Sequence, residues 1–215
     1  MRFVLLLLML FTATARAEDV TPLPGMIRET LTLQGPHGRL EALSLRPDRP
    51  SRFPLALITH GMPRDGAIKP AMAPEGLLNP ALAFAQRGYA AVVVMRTSYG
   101  HSEGSFQEGL GSCNDRDYLR AGKAGAADVI AALNELRGEP WIDPDRIVLV
   151  GHSMGGFVML AAGATNPPGV RAIISFAGAV GSPRPDFVCQ PDRLIAADDT
   201  FGQAAHIPSL WIFAA

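Results

Sequence analysis

The chain has 215 residues, of which 48% are hydrophobic and 18% charged, and its formal net charge is -1. That length suits one domain, with or without decorations, and the balance is ordinary globular composition. So small a charge leaves no footprint for nucleic acid or an anionic membrane surface, and the 22 glycines and 18 prolines are too dispersed to make a low-complexity tract.

The chain opens with a positive start, Met1-Arg2, an apolar run from Phe3 to Phe11, and a small-x-small site, Ala15-Arg16-Ala17. This pattern predicts a secretory signal peptide over residues 1–17, because the run is too short to span a bilayer. The mature domain is then 18–215, secreted or periplasmic. No cysteine stands at the cleavage point, and no later segment has the length to cross a membrane.

Arg28–Leu33 and Arg39–Leu45 alternate polar and apolar residues around Gly35-Pro36-His37-Gly38, which predicts a hairpin. Pro54–Thr59 (PLALIT) is wholly apolar, as in a strand buried on both faces of a parallel sheet. Pro74–Arg87 reads as a helix closing at Gly88, and Tyr89–Met95 as a second buried strand. A loop rich in glycine and serine follows, Ser98–Asp115. Leu119 to Leu136 repeats its apolar positions every three or four residues, which predicts an amphipathic helix. Arg146–Val150 is a strand, Gly155–Ala164 a helix of small residues, and Val170–Phe176 and Ser209–Phe213 are two more strands. Strands alternating with helices imply an α/β fold with a mostly parallel, doubly wound sheet, opened by an antiparallel hairpin.

One junction carries chemistry. The strand IVLV runs into Gly151-His152-Ser153-Met154-Gly155-Gly156 and then a helix. In a G-x-S-x-G elbow the serine tops a strained turn, where side chains on the flanking positions would collide. Gly156 lets the helix approach the sheet, and the helix N-terminus favours an anion beside Ser153. His152 is expected to point away from Ser153 and pack under the turn. A tetrahedral oxyanion needs two N–H donors, expected from Met154 and from Met62 in the loop His60-Gly61-Met62-Pro63.

With these motifs the chain resembles the α/β-hydrolase superfamily, and within it the dienelactone-hydrolase-like branch. The resemblance rests on His60-Gly61, Arg96 with Gly100-His101-Ser102-Glu103-Gly104, Asp143-Pro144-Asp145-Arg146 and Gly151 to Gly156. It implies a serine nucleophile, Ser153, where the namesake enzymes use cysteine, and hence serine-ester chemistry. It also implies an acid and then a histidine further along the chain.

Those partners are hard to find. After Ser153 the one histidine is His206, before the strand Ser209–Phe213, whereas catalytic groups gather beyond the carboxyl ends of strands. Five strand residues at about 3.3 Å each put it roughly 15 Å below the active edge. His101, in the loop after Tyr89–Met95, is the other candidate base, and Asp186 the candidate acid. The resemblance places an aspartate directly after the strand Ser209–Phe213, then a helix, a last strand and the histidine. The sheet is therefore expected to lack its last strand and helices, with the base beyond residue 215. The alternative is a partner or second chain over the open edge.

The expected pocket lies between the loops Ser98–Asp115 and Ala179–Ala205, with Arg64 and Arg96 either contacting an anionic group or forming structural ion pairs. Cys113 and Cys189 fall in those loops, either as a disulfide or as unrelated thiols. No cofactor is implied, since the chain has no phosphate-cradling glycine loop, dinucleotide fingerprint or metal triad. The expected activity is an exported serine hydrolase acting on small carboxylic esters or related acyl compounds. A peptidase of the same fold and a non-catalytic hydrolase-like binding protein are the alternatives.

Overall fold

Alternating residues on either side of Pro36-His37 fold into an antiparallel hairpin, β1 (Met26–Gly35) and β2 (Gly38–Pro47), longer at both ends than the alternation marks. The structure is a computed structural model describing residues 23–180, 182–184 and 186–213, so the signal-peptide reading of residues 1–17 lies outside the described residues. The apolar runs form β3 (Phe53–Thr59), β4 (Ala90–Val94), β5 (Ile142–His152), β6 (Val170–Phe176) and β7 (Ser209–Ile212). They complete one seven-stranded sheet in the order β1-β2-β4-β3-β5-β6-β7. Every pairing from β4 to β7 is parallel, and the hairpin joins antiparallel through β2 and β4. β5 is longer than expected because Ile142 and Asp143 also pair with β3, across a register shift before Leu55 and Ile147.

Helices cover both faces unequally. On one face α1 (Leu78–Ala85) packs over Ala56, Ile58, Ala91, Val93, Val148 and Val150. On the other, α2 (Tyr118–Leu136), α3 (Met154–Gly163) and α4 (Pro191–Ala204) close the larger core over Leu55, Leu57, Val92, Leu149 and Ile173. Gly122 of α2 leaves room there for an edge-on pair, Phe157 and Phe201, with ring centroids 5.5 Å apart. No described helix is long and apolar enough to cross a membrane.

Two expected elements need correction. The helix over Pro74–Arg87 is a 3-10 turn, Pro74–Leu77, followed by α1. Pro80 explains the break, since proline lacks an N–H and is tolerated only in a helix's first turn. The loop Ala179–Ala205 holds α4 over most of its second half. Its signal was present: Pro191 starts the helix, Asp192 follows, and Leu194, Ala197 and Phe201 bury one face at spacings of three and four.

β7 is an edge strand with exposed apolar residues, Leu210 at 56% within it and Phe213 at 60% just after it. Cys113 and Cys189 are joined in a disulfide that ties the loop after β4 to the loop before α4. The bond closes a 76-residue separation. Replacing both cysteines with serine is expected to cost about 2–4 kcal/mol. Denaturant unfolding of the oxidised protein and the double variant reads that loss, and equal midpoints would show the bond to be idle.

Candidate active site

Sheet register builds the site. Val94 pairs with Thr59, Thr59 with Gly151, and Gly151 with Ser175, so β4, β3, β5 and β6 end along one line. The loops beginning at His60, Met95, Ser153 and Ala177 therefore leave from the same edge of the sheet.

Ser153 stands between β5 and α3 with φ 53° and ψ -125°, a conformation that L-residues rarely adopt. Its N–H donates to the carbonyl of Phe176 at 2.8 Å, while Gly156 and Phe157 donate to its own carbonyl. The surrounding glycines are required by space. A Cβ on Gly151 would overlap the backbone of Gly155, and one on Gly155 would lie 2.5 Å from the carbonyl oxygen of His60. A Cβ on Gly156 would overlap Ser175 Oγ and crowd Gly178 Cα at 2.8 Å. α3 thus presses its first turn onto the ends of β3 and β6, with Ser153 at the apex.

The loop after β3 faces that apex. A Cβ on Gly61 would lie 3.1 Å from Ser153 Cβ. The Met62 N–H donates to no acceptor among the described residues, and Met154, first in α3, has no intrahelical acceptor. Two N–H groups are thus left free beside Ser153.

His60 and Arg96 hold this loop from beneath. His60 Nε2 accepts the Arg96 backbone N–H at 3.1 Å, so its Nδ1 carries the proton and donates to the Gly61 carbonyl at 2.7 Å. Burial, reinforced by the Arg96 charge and opposed by the Gly61 carbonyl, lowers the imidazole well below its ordinary 6.5. Arg96 is fully buried. Its guanidinium donates to the His60 carbonyl at 2.6 Å, to Thr59 Oγ1 at 2.9 Å and, as an ion pair, to Glu108. Tyr99 donates its phenol to Glu108 at 3.0 Å and rests against His60, with ring centroids 4.4 Å apart. Arg96 is therefore a structural ion-pair partner, not a ligand contact.

That wiring has a pH consequence. The folded imidazole is neutral where the unfolded one is charged, so the fold binds fewer protons below about pH 6.5. Stability should fall as pH drops from there toward the depressed folded value, by at most about 1.4 kcal/mol per unit. Asp198 on α4, pushed by burial to about 6, acts in the opposite sense at lower pH. Because the two oppose each other below about pH 6, urea unfolding from pH 7.5 to 5 should show the parent losing stability relative to His60→Asn as the pH falls. An identical slope in that variant would place the titration elsewhere.

A cleft of about 350 Å³ opens at Ser153, lined by Met62, Pro63 and Arg64 on one side, Leu110 and Arg116 on the second, and Ala177, Ala179, Val180, Ser182, Pro183 and Val188 on the third. Both expected loops contribute, but α4 does not. The structure does not bring the other candidate residues here. His101 is exposed and its backbone N–H donates to Glu41, and His206 is exposed near the C-terminal end of α3, its N–H on Asn166. Asp186 is exposed at a positive φ of 56° and lines no part of the cleft. His152 stays outside the cleft, but it is exposed and not packed under the turn. The physical reason is that α1 packs over β2, β3 and β4, and its first turn only borders the hollow at His152 and its register neighbour Phe176. Arg116 is the lining residue that sequence reasoning missed, since only the disulfide-tied loops bring it to Ser153.

The profile of the X-Pro dipeptidyl-peptidase (S15) family matches residues 35–206. No curated protein matches the chain. Among solved structures, the acetyl xylan esterase from Paenibacillus sp. R4 is 13% identical, with a TM-score of 0.59 over 92% of this chain and 80% of its own. Acylaminoacyl peptidase from Pyrococcus horikoshii is 17% identical, with a TM-score of 0.58 over 89% of this chain and 32% of its own. A Klebsiella pneumoniae protein described as a dienelactone hydrolase is 16% identical, with a TM-score of 0.50 over 86% and 85%. At such identities the likeness shows the fold. The chain spans about half the length of other structures it matches, 48% of one esterase among them.

Proposed function

From the premise that this chain belongs to the X-Pro dipeptidyl-peptidase (S15) family of α/β hydrolases, we propose that it is a serine hydrolase of small carboxylic esters, with Ser153 as nucleophile. The observation that carries the reading is the strained Ser153 turn set against two free N–H groups, Met62 and Met154. Ser153 Oγ attacks the acyl carbon, and the alcohol leaves as the acyl-serine forms. The two N–H groups hold the oxyanion through the tetrahedral stage, assisted by the N-terminus of α3. Water then releases the acid and restores the hydroxyl.

The Oγ proton needs a base. Among the described residues no histidine lines the cleft with Ser153, and His60 has both ring nitrogens engaged. In this reading the proton passes to a base other than the described residues that line the cleft with Ser153. The N-terminal pattern of residues 1–17 and the joined cysteines support export to an oxidising compartment.

Treatment with a fluorophosphonate, followed by peptide mapping, tests the nucleophile: one adduct on Ser153 is expected, and an unlabelled folded protein would reject it. The family match favours a second reading, a peptidase. Faster turnover of an aminoacyl-prolyl anilide than of a short acyl ester would select it.

A further inference from the structure

Among the described residues, the cleft at Ser153 carries two guanidinium groups and no carboxylate. Its lining includes Arg64 and Arg116 but no aspartate or glutamate. Neither arginine forms an ion pair among the described residues. Arg116 Nη1 donates to the Gly111 carbonyl at 2.8 Å, and Nη2 contacts Cys189 Sγ at 3.2 Å. These partners adjoin Leu110 and Val188, which line the cleft, so the guanidinium is pinned to its wall. All its bonds are to neutral acceptors, and its Nε–H is buried without a partner. A buried, uncompensated donor on a fixed cation is the feature a bound anion would satisfy. Arg64 is exposed at the opposite wall and makes no hydrogen bond among the described residues.

We propose that the substrate of this site carries a carboxylate, held by Arg116 and Arg64 while its ester carbonyl lies at Ser153, as in a monoester of a dicarboxylic acid. The inference rests on the hydrolase reading and narrows it. A substrate with a free α-ammonium, as an amino-terminal dipeptide has, would meet two like charges in the cleft and, among the described residues, no counter-charge. The chemistry is otherwise unchanged: Oγ displaces the alcohol, and the distal carboxylate stays ionised.

Two measurements separate this inference from the reading beneath it. In the first, Ser153→Ala is titrated with N-butyl glutaramate, an anionic amide that it cannot turn over, and with neutral N-butyl butyramide. The anion should bind more tightly, weakening about tenfold in Arg64→Gln and about a hundredfold when Arg116→Gln is added, while the neutral amide is unaffected. Arg64→Gln breaks no described contact, so it remains informative if Arg116→Gln fails to fold. Equal binding of the two amides overturns the proposal. The second compares acylation of the unmodified chain by mono-p-nitrophenyl glutarate and by p-nitrophenyl butyrate. Preference for the glutarate ester that Arg64→Gln removes supports the proposal. Equal rates with a Ser153 adduct keep the hydrolase and reject the anion site. Selective anion binding without any adduct rejects the hydrolase and keeps the anion site.

Discussion

Ser153→Ala is expected to abolish fluorophosphonate capture and to bring ester turnover down to what an oxyanion site alone sustains, about 10³-fold over water. The reason is local. Oγ is the nucleophilic atom, and the alanine methyl retains the turn but no lone pair. Among the described residues the Ser153 hydroxyl makes no side-chain hydrogen bond, so its removal leaves no partner unsatisfied. Folding should therefore survive. Ser153→Gly goes further: φ 53° suits glycine, and relief of the strained turn should stabilise the fold by about 1 kcal/mol while activity is lost. Labelling and urea midpoints on the three proteins read both effects. Undiminished labelling of Ser153→Ala would remove the serine from the reaction.

The largest expected loss of stability lies beneath the oxyanion loop. Arg96 is fully buried, and although burial disfavours its charge, the adjoining Glu108 carboxylate outweighs this and raises the guanidinium above its ordinary value. Glu108→Ala leaves that cation without a counter-ion, which should cost about 3–5 kcal/mol. It also strips Tyr99 of its acceptor. For a fold whose total stability is typically about 5–15 kcal/mol, partial unfolding at moderate temperature follows. Glu108→Gln keeps an acceptor for Tyr99 but not the charge, and should fall between the two. Because Arg96 also holds the His60 carbonyl and Thr59, the loop carrying Met62 should loosen with it. Thermal unfolding reads the first effect and the fluorophosphonate rate the second. A Glu108→Ala protein within about 1 kcal/mol of the parent would show that the pair does not anchor the loop.

Much of this molecule is legible in its sequence. The runs at Pro54–Thr59 and Val170–Phe176 became strands almost to the residue: the first is apolar but for its last residue, as a strand buried on both faces requires, and the second is rich in the β-branched residues Val170, Ile173 and Ile174. The elbow was legible for a similar reason: Gly151, Gly155 and Gly156 are demanded by contacts within a few residues of one another or with the strands that flank them. α4 escaped because only three of its side chains are buried, too few to dominate a polar segment.

What the sequence determined by itself was the periodicity of strands and helices and the local turn at Ser153, both properties of short stretches. The tertiary structure alone decided which charges meet which. Arg96 and Arg64 looked alike in the sequence, yet one is sealed against Glu108 and the other stands open in the cleft. Arg116 reaches that cleft because its loop is tied to one lying 76 residues further along the chain. Such meetings depend on sheet register and on cross-links between distant loops, and no local pattern of residues encodes either.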